Sequence, residues 1–178
     1  DNIGYVLKKY NLKTFWHSIK YLFKPSRASF SWRNASVLEV IGINTPHPYF
    51  FYEERLLWIF RRRAFFLSEK IEAPHLLDFM NSGELKPSEI ENIITSFKEF
   101  FEIMVYYQIS HGDMKATNFI FHDRKLFVLD LDAMKRYRSR NLYNKAIRKD
   151  LDRFMRNWHG ERFEPDFEKL VKSIELPM

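Results

Sequence analysis

The sequence predicts an α+β chain in two lobes, a small antiparallel sheet lobe followed by a mainly helical lobe that carries a hairpin. Three observations predict it. The early chain is built of short aromatic runs that alternate in polarity. Farther on, Ile90, Ile93, Ile94, Phe97, Phe101, Met104 and Val105 recur at helical period. Directly after them come the polar octet His111 to Asn118 and two apolar strands joined by a polar turn. A chain of 178 residues has ample length for a core in one domain of two small lobes, which we divide into residues 1–72 and 73–178.

In the first lobe Ile3, Tyr5 and Leu7 alternate with Gly4, Val6 and Lys8, as in a strand. Val6 and Lys8 share one face, the arrangement in which a small apolar residue lies against an adenine and a lysine pairs nucleotide phosphates. A Gly-rich phosphate loop is expected ahead of such a strand, and only Gly4 is there. The lobe therefore reads as N-terminally truncated, its nucleotide lid either cut away or never present. Leu12 to Phe23 is a basic amphipathic helix, suited either to an anionic lipid surface or to packing on its own domain. Ser26 to Ile41 is a second helix, ended by Gly42. Its stripe of Ala28, Trp32 and Ala35 continues to Glu39, which either is an acid on an apolar face with Lys8 as a natural partner or reaches into solvent from the helix end.

Tyr49 to Tyr52, Leu56 to Phe60 and Ala64 to Ile71 are strand-like, with Arg61-Arg62-Arg63 reading as a solvated turn or an anion-holding triplet. Glu69 to Pro74 then form the hinge, where the backbone meets the adenine edge. His75 to Met80 is a short helix. Ser88 with Glu91 reads as a capping box opening the long helix. After the hairpin, a basic segment, Met134 to Arg140, leads into a helix with Ile147, Leu151, Phe154, Met155 and Trp158 inward. Lys145, Arg148, Lys149, Arg153 and Arg156 lie on its solvated face. Pro165 opens a last helix.

The chemistry sits in His111-Gly112-Asp113-Met114-Lys115-Ala116-Thr117-Asn118 and in Asp130-Leu131-Asp132. Phosphoryl transfer needs a base, a charge partner and metal ligands at fixed offsets. Asp113 fits the base that takes the acceptor proton, Lys115 the cation beside the γ-phosphate, and Asn118 and Asp130 the ligands of Mg²⁺. A hairpin of Phe119 to Phe121 and Lys125 to Leu129 returns Asn118 and Asp130 to one end of a ladder, where one hard cation bridges both to phosphates. The order of sheet, long helix, loop, hairpin and helices is that of a two-lobed protein-kinase-like fold.

Composition adds bounds. With 18 Phe, 9 Tyr and 4 Trp the core is expected to be built on rings. No cysteine means no disulfide and no thiolate metal site. The net charge of +6 favours acidic partners: an anionic membrane, nucleotide phosphates or, on charge alone, nucleic acid. No apolar run approaches the roughly 20 residues of a bilayer span.

These motifs resemble the lipopolysaccharide kinase family, the Kdo and heptose kinases of Gram-negative bacteria. Similarity runs through Val6-Leu7-Lys8-Lys9-Tyr10-Asn11, Ser26-Arg27-Ala28, Ser31-Trp32-Arg33-Asn34-Ala35, Gly42-Ile43-Asn44-Thr45-Pro46, the loop with Asp130-Leu131-Asp132, and Arg148-Lys149-Asp150-Leu151-Asp152-Arg153-Phe154. The resemblance implies transfer of the ATP γ-phosphoryl to a sugar hydroxyl of the lipopolysaccharide inner core. It also implies a peripheral position on the cytoplasmic face of the inner membrane and no nucleic-acid partner. Lys8 is by resemblance the phosphate-binding lysine, Asp113 the base, and Asn118 and Asp130 the Mg²⁺ ligands. The chain departs from the pattern in lacking the Gly-rich loop and in placing Ser31 where an acid of the second helix is expected. A kinase of proteins or soluble metabolites, and a nucleotide-binding pseudokinase, share the same loop.

Overall fold

The computed structural model describes residues 4–11, 25–56, 60–83 and 85–176, and the helix expected over Leu12 to Phe23 lies outside them. The chain divides into two compact units, Asp1–Glu72 and Ala73–Met178.

In the first unit, β1 (Tyr5–Asn11), β2 (Pro48–Leu56) and β3 (Phe60–Glu69) form an antiparallel sheet in the order β1-β3-β2. Strand alternation gives it two unlike faces. Val6, Lys8 and Tyr10 of β1 pair with Ser68, Phe66 and Ala64 of β3, and this is the covered face. Helix α1 (Arg27–Ile41) packs there, with Trp32 5.4 Å from the ring of Phe51 and Ser31 Oγ 3.1 Å from Tyr10 OH. Ser26 caps α1 by accepting the Ser29 N–H, while its own N–H donates to Glu53 on β2, so the helix start is tied to the sheet. Gly42 ends α1 at φ 85°, a left-handed turn that a side chain would strain. On the opposite face Tyr5, Leu7, Phe50 and Tyr52 are exposed.

Two expectations are corrected here. The buried stripe of α1 is Ala28, Ser31, Ala35 and Leu38, so Glu39 falls one residue off it and lies exposed, bonded to His47. The stripe went wrong by stepping from Ala28 to Trp32, a half-buried ring beside Phe51, and from Ala35 to Glu39, where the buried positions are Ser31 and Leu38. The arginine triplet is not a turn: Arg61 to Arg63 run inside β3, and Arg62 and Arg63 lie 3.6 and 3.7 Å from Glu54. A strand accepts charge wherever its side chains reach solvent or an ion partner, and the triplet holds none of the Gly, Pro or Asn that bends a chain.

The second unit is organised on α3 (Pro87–Tyr107), preceded by the short α2 (Leu76–Asn81). Pro87 stands at the first helical position and the Glu89 carboxylate accepts the Lys86 N–H at 2.8 Å, so the cap of α3 is Lys86, two residues before the expected Ser88. Its last turn ends on Gln108 (φ 52°) and feeds β4 (Ile109–Ser110), which pairs with β7 (Lys135–Arg136). Between them lies the hairpin of β5 (Phe119–His122) and β6 (Lys125–Val128). Asp123 and Arg124 turn it, both at positive φ, as a two-residue hairpin requires. Then follow α4 (Arg140–Met155) and α5 (Glu164–Ser173). The core is aromatic, as composition predicts. Phe97 of α3 lies 5.1 Å from Phe119, 4.9 Å from Phe154 and 5.8 Å from Phe167, and Trp158 stacks on Phe167 at 4.1 Å. These rings lock α3, α4, α5 and β5 together beneath the loop that follows β4. No helix among the described residues is long and apolar enough to cross a membrane.

Candidate active site

The loop from His111 to Asn118 leaves β4 and enters β5, so both its ends are fixed by strands. Its floor is α4. Asp150, 3% exposed, accepts the His111 N–H at 2.7 Å and the Gly112 N–H at 3.0 Å. One turn on, Arg153 Nε lies 3.4 Å from Asp113 Oδ1. Asn157, a further turn along, donates to the Met114 carbonyl at 3.0 Å. Residues spaced i, i+3 and i+7 share a helix face, so one side of α4 and the turn after it grips four consecutive loop residues. Neither Asp150 nor Asn157 was singled out as a site residue from sequence, and Arg153 was assigned to a solvated face. The available signal was an Asp on the apolar stripe of Ile147, Leu151 and Phe154, where an unpartnered carboxylate would be costly.

His111 is fully buried and supports the loop from inside. Its Nε2–H donates to the Leu129 carbonyl at 2.9 Å and its Nδ1 accepts the Asp113 N–H at 3.3 Å, which assigns the neutral tautomer. Burial pushes its pKa down, against the carbonyl of Leu129 and the charges of Asp150, Asp130 and Asp113. Burial likewise pushes Asp150 up, and the amides of Gly112 and His111 pull it back.

Asp113 is half-buried, its carboxylate held between two cations. Lys115 Nζ is 2.9 Å from Oδ2, and Arg153 is on Oδ1. The Asn118 side-chain amide donates to the Asp113 carbonyl at 2.9 Å, which turns its oxygen the other way. Phe119 pairs with Val128, and the Leu129 N–H donates to the Asn118 carbonyl at 2.8 Å, so the ladder brings Asn118 beside the residue before Asp130. Asp130 takes a left-handed conformation (φ 57°, ψ 56°), a strained geometry of the sort that clusters at functional sites. An amide oxygen and a carboxylate are hard donors, and among the described residues no three His, Asp or Glu converge on a metal site. Such a pair fits Mg²⁺, which takes one or two protein ligands and completes its shell from phosphates and water.

The other sequence-predicted residues belong to the first unit. Lys8 lies on the covered face of β1, with Val6. Glu39 is bonded to His47 at 2.7 Å. Glu69 ends β3, pairs with Tyr5 across the ladder, and accepts the His47 N–H at 3.4 Å.

Gly112 sits at φ 85°, and a Cβ there would stand 2.9 Å from the Ala133 carbonyl oxygen. Gly112→Ala is expected to lower stability by roughly 2 kcal/mol in chemical denaturation, from left-handed strain plus the contact. An unchanged midpoint would mean that the loop does not need this backbone geometry.

The model of the Lipopolysaccharide kinase (Kdo/WaaP) family matches residues 3–173. Among solved structures the chain is similar to one described as WaaP in complex with acyl carrier protein, with a TM-score of 0.57 and 16% identity, covering 97% of this chain and 78% of that one. At that identity the likeness shows the fold, which is protein-kinase-like. No curated protein matches the sequence. The family match spans nearly the whole chain and includes the loop, the hairpin and the helix beneath them, and this chain belongs to the lipopolysaccharide kinase family, a family of phosphotransferases.

Proposed function

We propose that the protein transfers the γ-phosphoryl group of ATP to a hydroxyl of a lipopolysaccharide inner-core sugar, Kdo or heptose. The observation that carries this is the single loop on which Asp113, Lys115 and Asn118 sit, its backbone tied at His111 and Gly112 to Asp150 of α4 and at Met114 to Asn157 just beyond it. Asp113 accepts the proton of the acceptor hydroxyl. Lys115, mobile enough at 46% exposure to exchange partners, moves from Asp113 toward the γ-phosphate. Asn118 and Asp130 would hold Mg²⁺, which neutralises phosphate charge when bound. Lys8 pairs the α and β phosphates, and the backbone after Glu69 receives the adenine. Glu39 remains a candidate partner of Lys8 only by exchanging its bond to His47. The deciding experiment incubates the protein with ATP, Mg²⁺ and deacylated core oligosaccharide. Mass spectrometry should find a phosphorylated oligosaccharide, and its absence would overturn the reading.

With only two protein ligands, Mg²⁺ is expected to bind in calorimetry only when a nucleotide is present. Equal ATP affinity with and without Mg²⁺ would contradict the metal assignment.

We place the reaction at the cytoplasmic face of the inner membrane, with the protein held there peripherally. Support comes from the net charge of +6 and from the exposed Tyr5, Leu7, Phe50 and Tyr52 on the sheet face shared with Lys9. Each Lys or Arg near an anionic surface contributes roughly 1 kcal/mol, screened beyond a Debye length of about 8 Å. Co-sedimentation should favour anionic over neutral vesicles at low salt and lose that preference as salt rises. No preference at low salt would remove the support.

A further inference from the structure

Arg153 contributes more to the surroundings of Asp113 than one ion pair uses. It meets Asp113 through Nε, at 3.4 Å, so the terminal edge formed by its two NH₂ groups makes no hydrogen bond among the described residues. That edge is the fork that matches a carboxylate or phosphate. The side chain is 41% exposed, so a ligand can reach it. One turn back on α4, Lys149 is exposed and makes no ion pair among the described residues, and its charge is felt at Asp150. Asp152, the exposed acid of the same turn, pairs with neither of them there. Two cations, Lys115 and Arg153, therefore share the single carboxylate of Asp113.

An acceptor hydroxyl must come within about 2.6–3.2 Å of Asp113 for its proton to be taken. Arg153 lies against that same carboxylate, so a group carried near the acceptor hydroxyl would come within reach of its guanidinium. We infer that Arg153, assisted by Lys149, forms an acceptor subsite for an anionic group, a carboxylate or a phosphate, carried on the acceptor near the hydroxyl that Asp113 deprotonates. Arg153 is then the residue that makes the enzyme prefer a charged sugar over its neutral counterpart. This rests on the reading of Asp113 as the base.

The test compares acceptors in pairs: core oligosaccharide with its carboxylates intact or reduced to alcohols, and with its phosphates intact or enzymatically removed. The pair that separates identifies the anion. The wild-type protein should prefer the charged member by at least about tenfold in kcat/KM, mostly through KM. Arg153→Ala should erase that preference, Arg153→Lys should keep part of it because charge survives without the fork, and Lys149→Ala should reduce it. Equal loss on charged and neutral acceptors in Arg153→Ala would make Arg153 a support for Asp113 alone and overturn the subsite. So would a wild type indifferent to acceptor charge. Transfer to none of the acceptors would instead overturn the kinase reading, and the subsite would fall with it.

Discussion

Asp113→Ala is expected to lower kcat by roughly 10²- to 10⁴-fold, the contribution of a positioned general base. Nucleotide affinity should stay within about a factor of two, because the base meets the acceptor hydroxyl and not the nucleotide. The geometry sharpens this expectation. Asp113 is bound through its side chain by Lys115 and Arg153, and its backbone N–H and C=O are held separately by His111 and Asn118. Removing the carboxylate therefore leaves the loop in place, and lost activity reports on chemistry. Lys8→Ala should behave differently, weakening ATP binding and turnover together. The comparison is made by steady-state kinetics beside nucleotide titration of both variants. If Asp113→Ala kept most of the wild-type rate, the assignment of the base would be lost.

The parts of this site that were legible in the sequence are those fixed by local spacing. Asp113, Lys115 and Asn118 lie within six consecutive residues, and the hairpin that follows declares itself by two apolar runs around a polar turn. The α3 pattern was equally plain, since Ile93, Phe97, Phe101 and Met104 repeat on one face and are all buried. What escaped is tertiary. Asp150 lies 39 residues beyond His111 in the chain, and nothing near it in sequence says that its carboxylate receives two loop amides. Arg153 looks like any charged residue of a basic helix until the helix is laid under the loop. The opposite error occurred at Arg61 to Arg63, where charge was taken for a turn although strand pairing decides the conformation. Glu39 shows a third kind: with Ser31 and Leu38 both inside, a one-residue error in helix phase moved an exposed acid onto the packed face.

The largest effect on stability is expected at Asp150. Its carboxylate is buried and takes the amides of His111 and Gly112, so Asp150→Ala leaves the buried His111 N–H and the more exposed Gly112 N–H without their acceptor. A hydrogen bond to a charged group contributes about 1.5–3 kcal/mol, in full for the buried His111 N–H and in part for that of Gly112, so a loss of roughly 2–4 kcal/mol follows, with activity falling alongside because the loop is freed. Asp150→Asn keeps one acceptor oxygen and should lose distinctly less. The pH dependence supplies an independent check through His111. Its folded-state pKa is lowered by burial, so the unfolded chain binds the extra proton, and stability rises with pH through the window below the ordinary value of 6.5 and levels off above it. Asp150 acts in the opposite sense, since its raised pKa makes its burial more costly as pH rises from its ordinary 3.8. The His111 contribution is therefore read as a difference between wild type and His111→Gln. Thermal melts from pH 5 to 8 should show the wild type losing stability on acidification more steeply than the variant. Parallel curves would mean that the buried imidazole is not what couples this loop to protons, and an Asp150→Ala protein as stable as wild type would mean that α4 does not anchor the loop.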